Sequence, residues 1–202
     1  MKTQTLIRWS GLALLLAGVL YLLSVLHPPN TLEGVLAPAW VPVHFVISIH
    51  HLLLVFGLIG LYAFQMEKAG RLGLIAFLLT GASNAMFPTY ALFEATLQPT
   101  LAANPATQSL ADPAQAGTFG IVILAAVVVQ FVGYVLFGIV IIRAGVLPRW
   151  PGLLIMVGWT LLVLGAAVPA LALAFTISLV LVGLGLAWCG YEIWSSKSEM
   201  TA

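Results

Sequence analysis

Four histidines, His27, His44, His50 and His51, share this chain with six carboxylates, of which Glu94 lies closest to them once the apolar runs are folded back on one another. Imidazole and carboxylate groups that meet can hold a proton, a transition metal or the iron of a haem. Residues seven apart share a helix face, which aligns His44 with His51 and leaves Ser48 between them, whereas His50 is turned roughly 100° from His51. His50 and His51 are therefore a poor pair for one ion. Counting a rise of ~1.5 Å per residue from the ends of the apolar runs puts His27, His44 and Glu94 at one depth, with Tyr90 one turn from Glu94 on its face. The same count puts His50, His51, Asn84 and Gln130 near the middle of their runs. The expected site is a polar track, with His44 and Glu94 at its mouth as ligands or hydrogen-bond partners and His51 at its floor. Asn84, Gln130, Tyr90 and His27 stand beside them.

Three chemistries suit such a track. His27 and His44 are candidates for the axial pair of a b-type haem, or for joining Glu94 in a two-His, one-carboxylate set around a transition metal. The track is alternatively a transport path or a pocket for a small amphipathic molecule, with Pro88 breaking its helix and freeing the carbonyl of Asn84. In the third reading the polar groups tie helix to helix at ~0.6 kcal/mol per bond. The chain is then a structural or accessory subunit of a homo-oligomer or a larger membrane complex, and it keeps an outward-facing polar pocket. This third reading asks least of the sequence, because no spacing such as HExxH fixes a ligand set. No GxSxG elbow or Walker loop is present, and Cys189 falls about a membrane thickness from the histidines, so no catalytic residue is assigned.

Lipid must surround the elements that position these residues. The 202 residues are 62% apolar and 6% charged, against roughly a quarter charged in a soluble domain. The apolar runs predict an all-α, polytopic integral membrane bundle of six transmembrane helices, at 6–26, 40–64, 72–97, 113–142, 150–167 and 170–194. Connections at 27–39 and 98–112 are expected outside. Lys2 and Arg8 precede the first run, Lys68 and Arg71 follow the second, Arg143 and Arg149 follow the fourth, and Lys197 follows the last. The other connections carry no basic residue, so the positive-inside rule puts the N and C termini in the cytoplasm. The expected location is the cytoplasmic (inner) membrane of a prokaryote. A net charge of +1, confined to short inner loops, gives nucleic acid nothing to bind. The first run lacks a small-x-small cleavage site before His27-Pro28-Pro29 and reads as a retained span. Cys189, the single cysteine, excludes a disulfide within the chain.

Local signals refine the boundaries. Asn30 and Glu33 have capping-box spacing for a short interfacial helix. The segment 65–71 reads as an inner turn, and Asp112-Pro113 as the cap and first residue of the fourth span. Gly145, Pro148 and Pro151 punctuate the next inner turn. Trp9, Trp150 and Trp194 are expected at the inner membrane interface and Trp40 at the outer one. Close helix contacts are expected at Gly57 and Gly60, at Gly81 and Ala85, and at Gly183 and Gly185.

The segment RAGVLPRWPGLLIMVG at 143–158, with HHLLLVFGLIGLYAF at 50–64, resembles segments of the DUF4386 group of small multi-span bacterial membrane proteins. The resemblance covers about two helical hairpins and centres on the LPRW turn. It implies a prokaryotic membrane protein of about six helices and brings no activity, substrate or site residue with it.

Overall fold

The computed structural model describes residues 3–112 and 117–196. Every element among them is helical: α1 (Thr3–Leu22), α2 (Leu32–Val35), α3 (Trp40–Ala102), α4 (Gln108–Ala111), α5 (Gly117–Ala144), α6 (Arg149–Ala167) and α7 (Ala172–Ser195), with short 3-10 turns at Leu23–Leu26 and Pro169–Leu171. Five of the described helices are long and apolar enough to cross a membrane, which marks a multi-pass membrane protein. Their outward faces are apolar too: Phe56, Leu78, Ile121 and Leu124 are all more than half exposed, the pattern of helices solvated by lipid.

The 63 residues of α3 fold double. Its backbone leaves helical geometry at Gly70, with φ 57° and ψ −158°, a left-handed φ that costs a residue bearing a Cβ ~1–2 kcal/mol. Around that point Tyr62 stacks on Phe77, Ser48 donates to the Pro88 carbonyl and the Trp40 indole donates to the Glu94 carbonyl. These pairs are symmetric about the bend, so two arms, 40–69 and 71–102, lie antiparallel. The turn expected at 65–71 thus contracts to Gly70, because Gln65, Met66, Glu67, Lys68 and Ala69 are all good helix formers. The second arm also outruns its expected end, continuing to Ala102. The connection expected over 98–112 therefore starts later, and it carries a turn of helix, α4. Val35, Trp40, Ala102 and Ala111 form one buried cluster, joining this connection to the one that carries α2.

α1, the two arms of α3, α5, α6 and α7 close a ring, with α1 packed between α7 and the first arm, and α5 between the second arm and α6. Glycine sets the spacing where backbones approach. A Cβ on Gly57 would meet Leu14 at 2.8 Å, one on Gly60 would meet Ser10 at 2.3 Å, and one on Gly185 would meet Ile155 at 2.8 Å. Gly81 has open space around it and Ala85 is exposed, so the expected contact there is corrected. The second arm packs instead through Gly73, Ala76, Thr80 and Ser83, with Thr80 against Gly133 of α5.

Three smaller expectations change. The cap of α2 is Thr31, whose hydroxyl accepts from the Gly34 N–H, in place of Asn30. Pro88 stays within helical backbone, and among the described residues of α3 the non-helical dihedrals are those of Gly70. Trp40 is fully buried, whereas Trp9, Trp150 and Trp194 are 40% to 62% exposed. The expected helix start at Pro113 lies outside the described residues, as do Lys2 and Lys197. The described basic residues, Arg8, Lys68, Arg71, Arg143 and Arg149, all gather at the end of the bundle that holds Thr3 and Ser196.

Candidate functional site

Inside the ring lies a cavity of about 550 Å³, which reaches the surface beside Asn30 at the end of the bundle opposite Thr3 and Ser196. One wall is polar and comes from the end of α1, the connection after it and α3. The other, from α5, α6 and α7, is mostly apolar, with Ile123, Val127, Leu162, Phe175 and Leu179. The last two helices, α6 and α7, add Trp159, Leu162, Phe175 and Leu179 to this lining.

At the mouth, three acceptors converge. His44 Nε2 lies 3.2 Å from His27 Nε2 and 3.2 Å from Glu94 Oε2. Behind them, His27 Nδ1 meets the Pro28 carbonyl and His44 Nδ1 meets the Trp40 carbonyl at 2.7 Å. Carbonyls only accept, so both Nδ1 atoms are assigned the hydrogen and both Nε2 atoms are left as bare lone pairs. Two lone pairs and a carboxylate cannot bond one another. One additional proton resolves the conflict, and it belongs on His44 Nε2, which alone faces both others. With that proton the trio is neutral, and without it the trio carries −1. Burial, followed by the charge of His44, lowers the His27 pKa from its ordinary 6.5, so His27 serves as the neutral acceptor. Trp40 fixes the His44 ring, with centroids 4.3 Å apart, and Tyr90 hydrogen-bonds Glu94.

At the floor Asn84 is a hub. Its Oδ1 accepts from His51 Nδ1 at 2.9 Å and from Gln130 Nε2 at 3.1 Å. Its Nδ2 donates to the Thr80 carbonyl at 2.7 Å and to the Tyr134 hydroxyl at 3.1 Å. Asn84 itself is fully buried and stands behind the lining, while His51 and Gln130 reach the cavity. His51 stacks on Phe87. His50 lines the cavity against Tyr21, centroids 5.0 Å apart. The buried His50 Nδ1 and Trp159 Nε1 have no hydrogen-bond partner among the described residues.

Every expected site residue is therefore found at this one place: His27, His44, Tyr90 and Glu94 at the mouth, His51 and Gln130 at the floor, Asn84 behind it. Sequence reasoning missed Tyr21, Tyr134 and Trp159 and set His50 aside. A signal existed for Tyr134, since a hydroxyl in the middle of an apolar run needs a partner that lipid cannot supply.

The geometry described supports neither cofactor expectation. An axial haem pair needs its nitrogens about 4 Å apart, twice a metal–nitrogen bond of ~2 Å, with the macrocycle between them. The His27 and His44 rings are in edge contact, centroids 4.8 Å apart, and leave no slot for it. Among the described residues no group of three or more His, Cys, Asp or Glu is placed to hold a metal ion, so the set of His27, His44 and Glu94 is not carried forward as one. Comparison with family models, with curated proteins and with solved structures finds no match to this chain.

Proposed function

We propose that this protein spans the cytoplasmic membrane of a prokaryote six times, with both termini inside, and receives a small amphipathic molecule in a cavity that opens outward. Each arm of α3 is long enough at ~1.5 Å per residue to cross a ~30 Å hydrocarbon core. The clustering of the described basic residues at the terminal end favours placing that end in the cytoplasm.

The observation that carries the functional reading is the two-faced cavity of about 550 Å³. A bundle held together only by polar ties gains nothing from a void, since each unfilled space forfeits packing. Small-molecule sites commonly measure ~300–1,000 Å³, with mostly apolar walls and a few placed polar groups. The structural role expected from the sequence falls to the Asn84 hub, whose bonds tie both arms of α3 to α5.

Thermal unfolding in detergent, against a panel of neutral, cationic and anionic amphiphiles of ten to twenty heavy atoms, tests this reading. At least one class should stabilise the wild type by several degrees and lose that effect in Val127→Trp, which fills the cavity from its apolar wall. No stabilisation by any class, or equal stabilisation of the filled variant, would refute it.

A further inference from the structure

The charge of the cavity lining is one-sided. Among the described residues of the lining, Glu94 is the one carboxylate and there is neither Lys nor Arg. Titratable groups reach the mouth from three directions: His27 from the connection after α1, His44 from the first arm of α3, and Tyr90 from the same arm as Glu94. Deeper in the lining stand Tyr21 from α1 and His50 and His51 from the first arm, while α5, α6 and α7 contribute no titratable side chain to it. Glu33 and Asp112, the other carboxylates at this end, are absent from the lining. An anionic ligand would meet a carboxylate with no fixed cation to offset it. A cation would meet that carboxylate in a cavity also lined by the aromatic rings of Phe87, Tyr90, Trp159 and Phe175, a type of side chain that attracts positive charge through its ring quadrupole.

The carboxylate is not free, because His44 occupies it, and the trio of His27, His44 and Glu94 is neutral only while it keeps its extra proton. On the reading that the cavity is a ligand site, we propose that its ligand is a lipophilic organic cation and that this cation exchanges with the proton held between His44 and Glu94. The exchange balances: the protonated trio plus the cation gives the cation paired with the Glu94 carboxylate, a neutral His44, and one proton released. No bond other than N–H is broken. Binding should therefore weaken as pH falls, because protons compete for the same carboxylate.

The test uses probes of similar size that differ in charge: phenethyltrimethylammonium, which has no titratable proton, hydrocinnamic dimethylamide, which is neutral, and hydrocinnamate, an anion. Isothermal titration of the detergent-solubilised wild type, in two buffers of different ionisation heat between about pH 6 and about pH 8, reads affinity and proton release together. The cation should bind at least tenfold tighter than the amide and the anion, and its Kd should rise by up to about tenfold per unit of pH lost where the trio is protonated. Close to one proton should leave on binding there. Glu94→Gln should abolish both the preference and the proton release. Should that variant fail to fold, the proton count on the wild type decides alone. If cation and amide bind alike with no proton released, and both are lost in Val127→Trp, the proposal fails and the cavity reading stands. If the cation binds best with no proton released, the exchange is refuted. If no probe binds, the cavity reading fails and takes the proposal with it.

Discussion

The seam between α1 and α7 and the cavity at the centre of the ring lie side by side, yet they solve opposite problems. Along the seam, backbone meets backbone: a Cβ on Gly18 would fall 2.4 Å from the Ala187 amide nitrogen, and one on Gly190 would fall 2.2 Å from that of Leu15. Facing the cavity, the helices carry His44, His51, Glu94 and Gln130, side chains too large and too polar to interlock in that way. Small residues close space, because dispersion needs atoms in contact. Polar side chains leave space open, because each must reach a partner at hydrogen-bond distance. A bundle that is glycine-tight at its rim and polar at its centre is therefore built to be rigid around a hole.

The largest effect expected from breaking this contrast is at the rim. Gly190→Leu drives a side chain into the backbone of α1, which cannot yield as a flexible side chain would, and should cost ~3 kcal/mol or more. Thermal unfolding in detergent and loss of a monodisperse gel-filtration peak would register it. Gly81→Leu is the control, placed where no atom lies within 4 Å of a Cβ, and should shift stability by no more than ~0.5 kcal/mol. Equal sensitivity at the two glycines would mean that the rim is not what holds the ring.

Next comes the hub beneath the cavity. Asn84→Leu removes bonds to His51, Gln130 and Tyr134. At ~0.6 kcal/mol for each such bond, the loss should be about 2 kcal/mol. The same unfolding assay checks it, and a neutral result would place the hub outside the forces that set the arms of α3 on α5. Gly70→Ala should cost no more than this, ~1–2 kcal/mol, because the bend has room for a Cβ and only the left-handed φ is strained.

The two regions were not equally legible in the sequence. Hydropathy reveals the apolar runs and helical spacing reveals that His44, Ser48 and His51 share a face, since both depend on local chemistry alone. Gly57 and Gly60 were found because glycine pairs in a span have few other uses, but Gly81 and Ala85 looked the same and face open space. In lipid both faces of a helix are apolar, so composition does not tell the packed side from the solvated one. Trp40 misled for a related reason: an indole near a span end suits the membrane interface or, as here, a buried donor to the Glu94 carbonyl. The apolar wall of the cavity was invisible because Ile123, Leu162 and Phe175 become a wall only when the ring closes.

The smallest expected effect sharpens the account of the mouth. His27 titrates below its ordinary 6.5 in the folded protein, so as pH falls through that value the unfolded chain binds a proton that the folded one refuses. Stability attributable to His27 is thus complete above about pH 6.5 and is lost progressively below it. The structural causes are burial first, which penalises a charged ring, and then the neighbouring His44, whose Nε2 lies 3.2 Å from that of His27. His27→Gln, which keeps a polar group but cannot titrate, should flatten the dependence of the unfolding midpoint between about pH 7 and about pH 5. If the variant keeps the full slope, the pH dependence arises at a group other than His27.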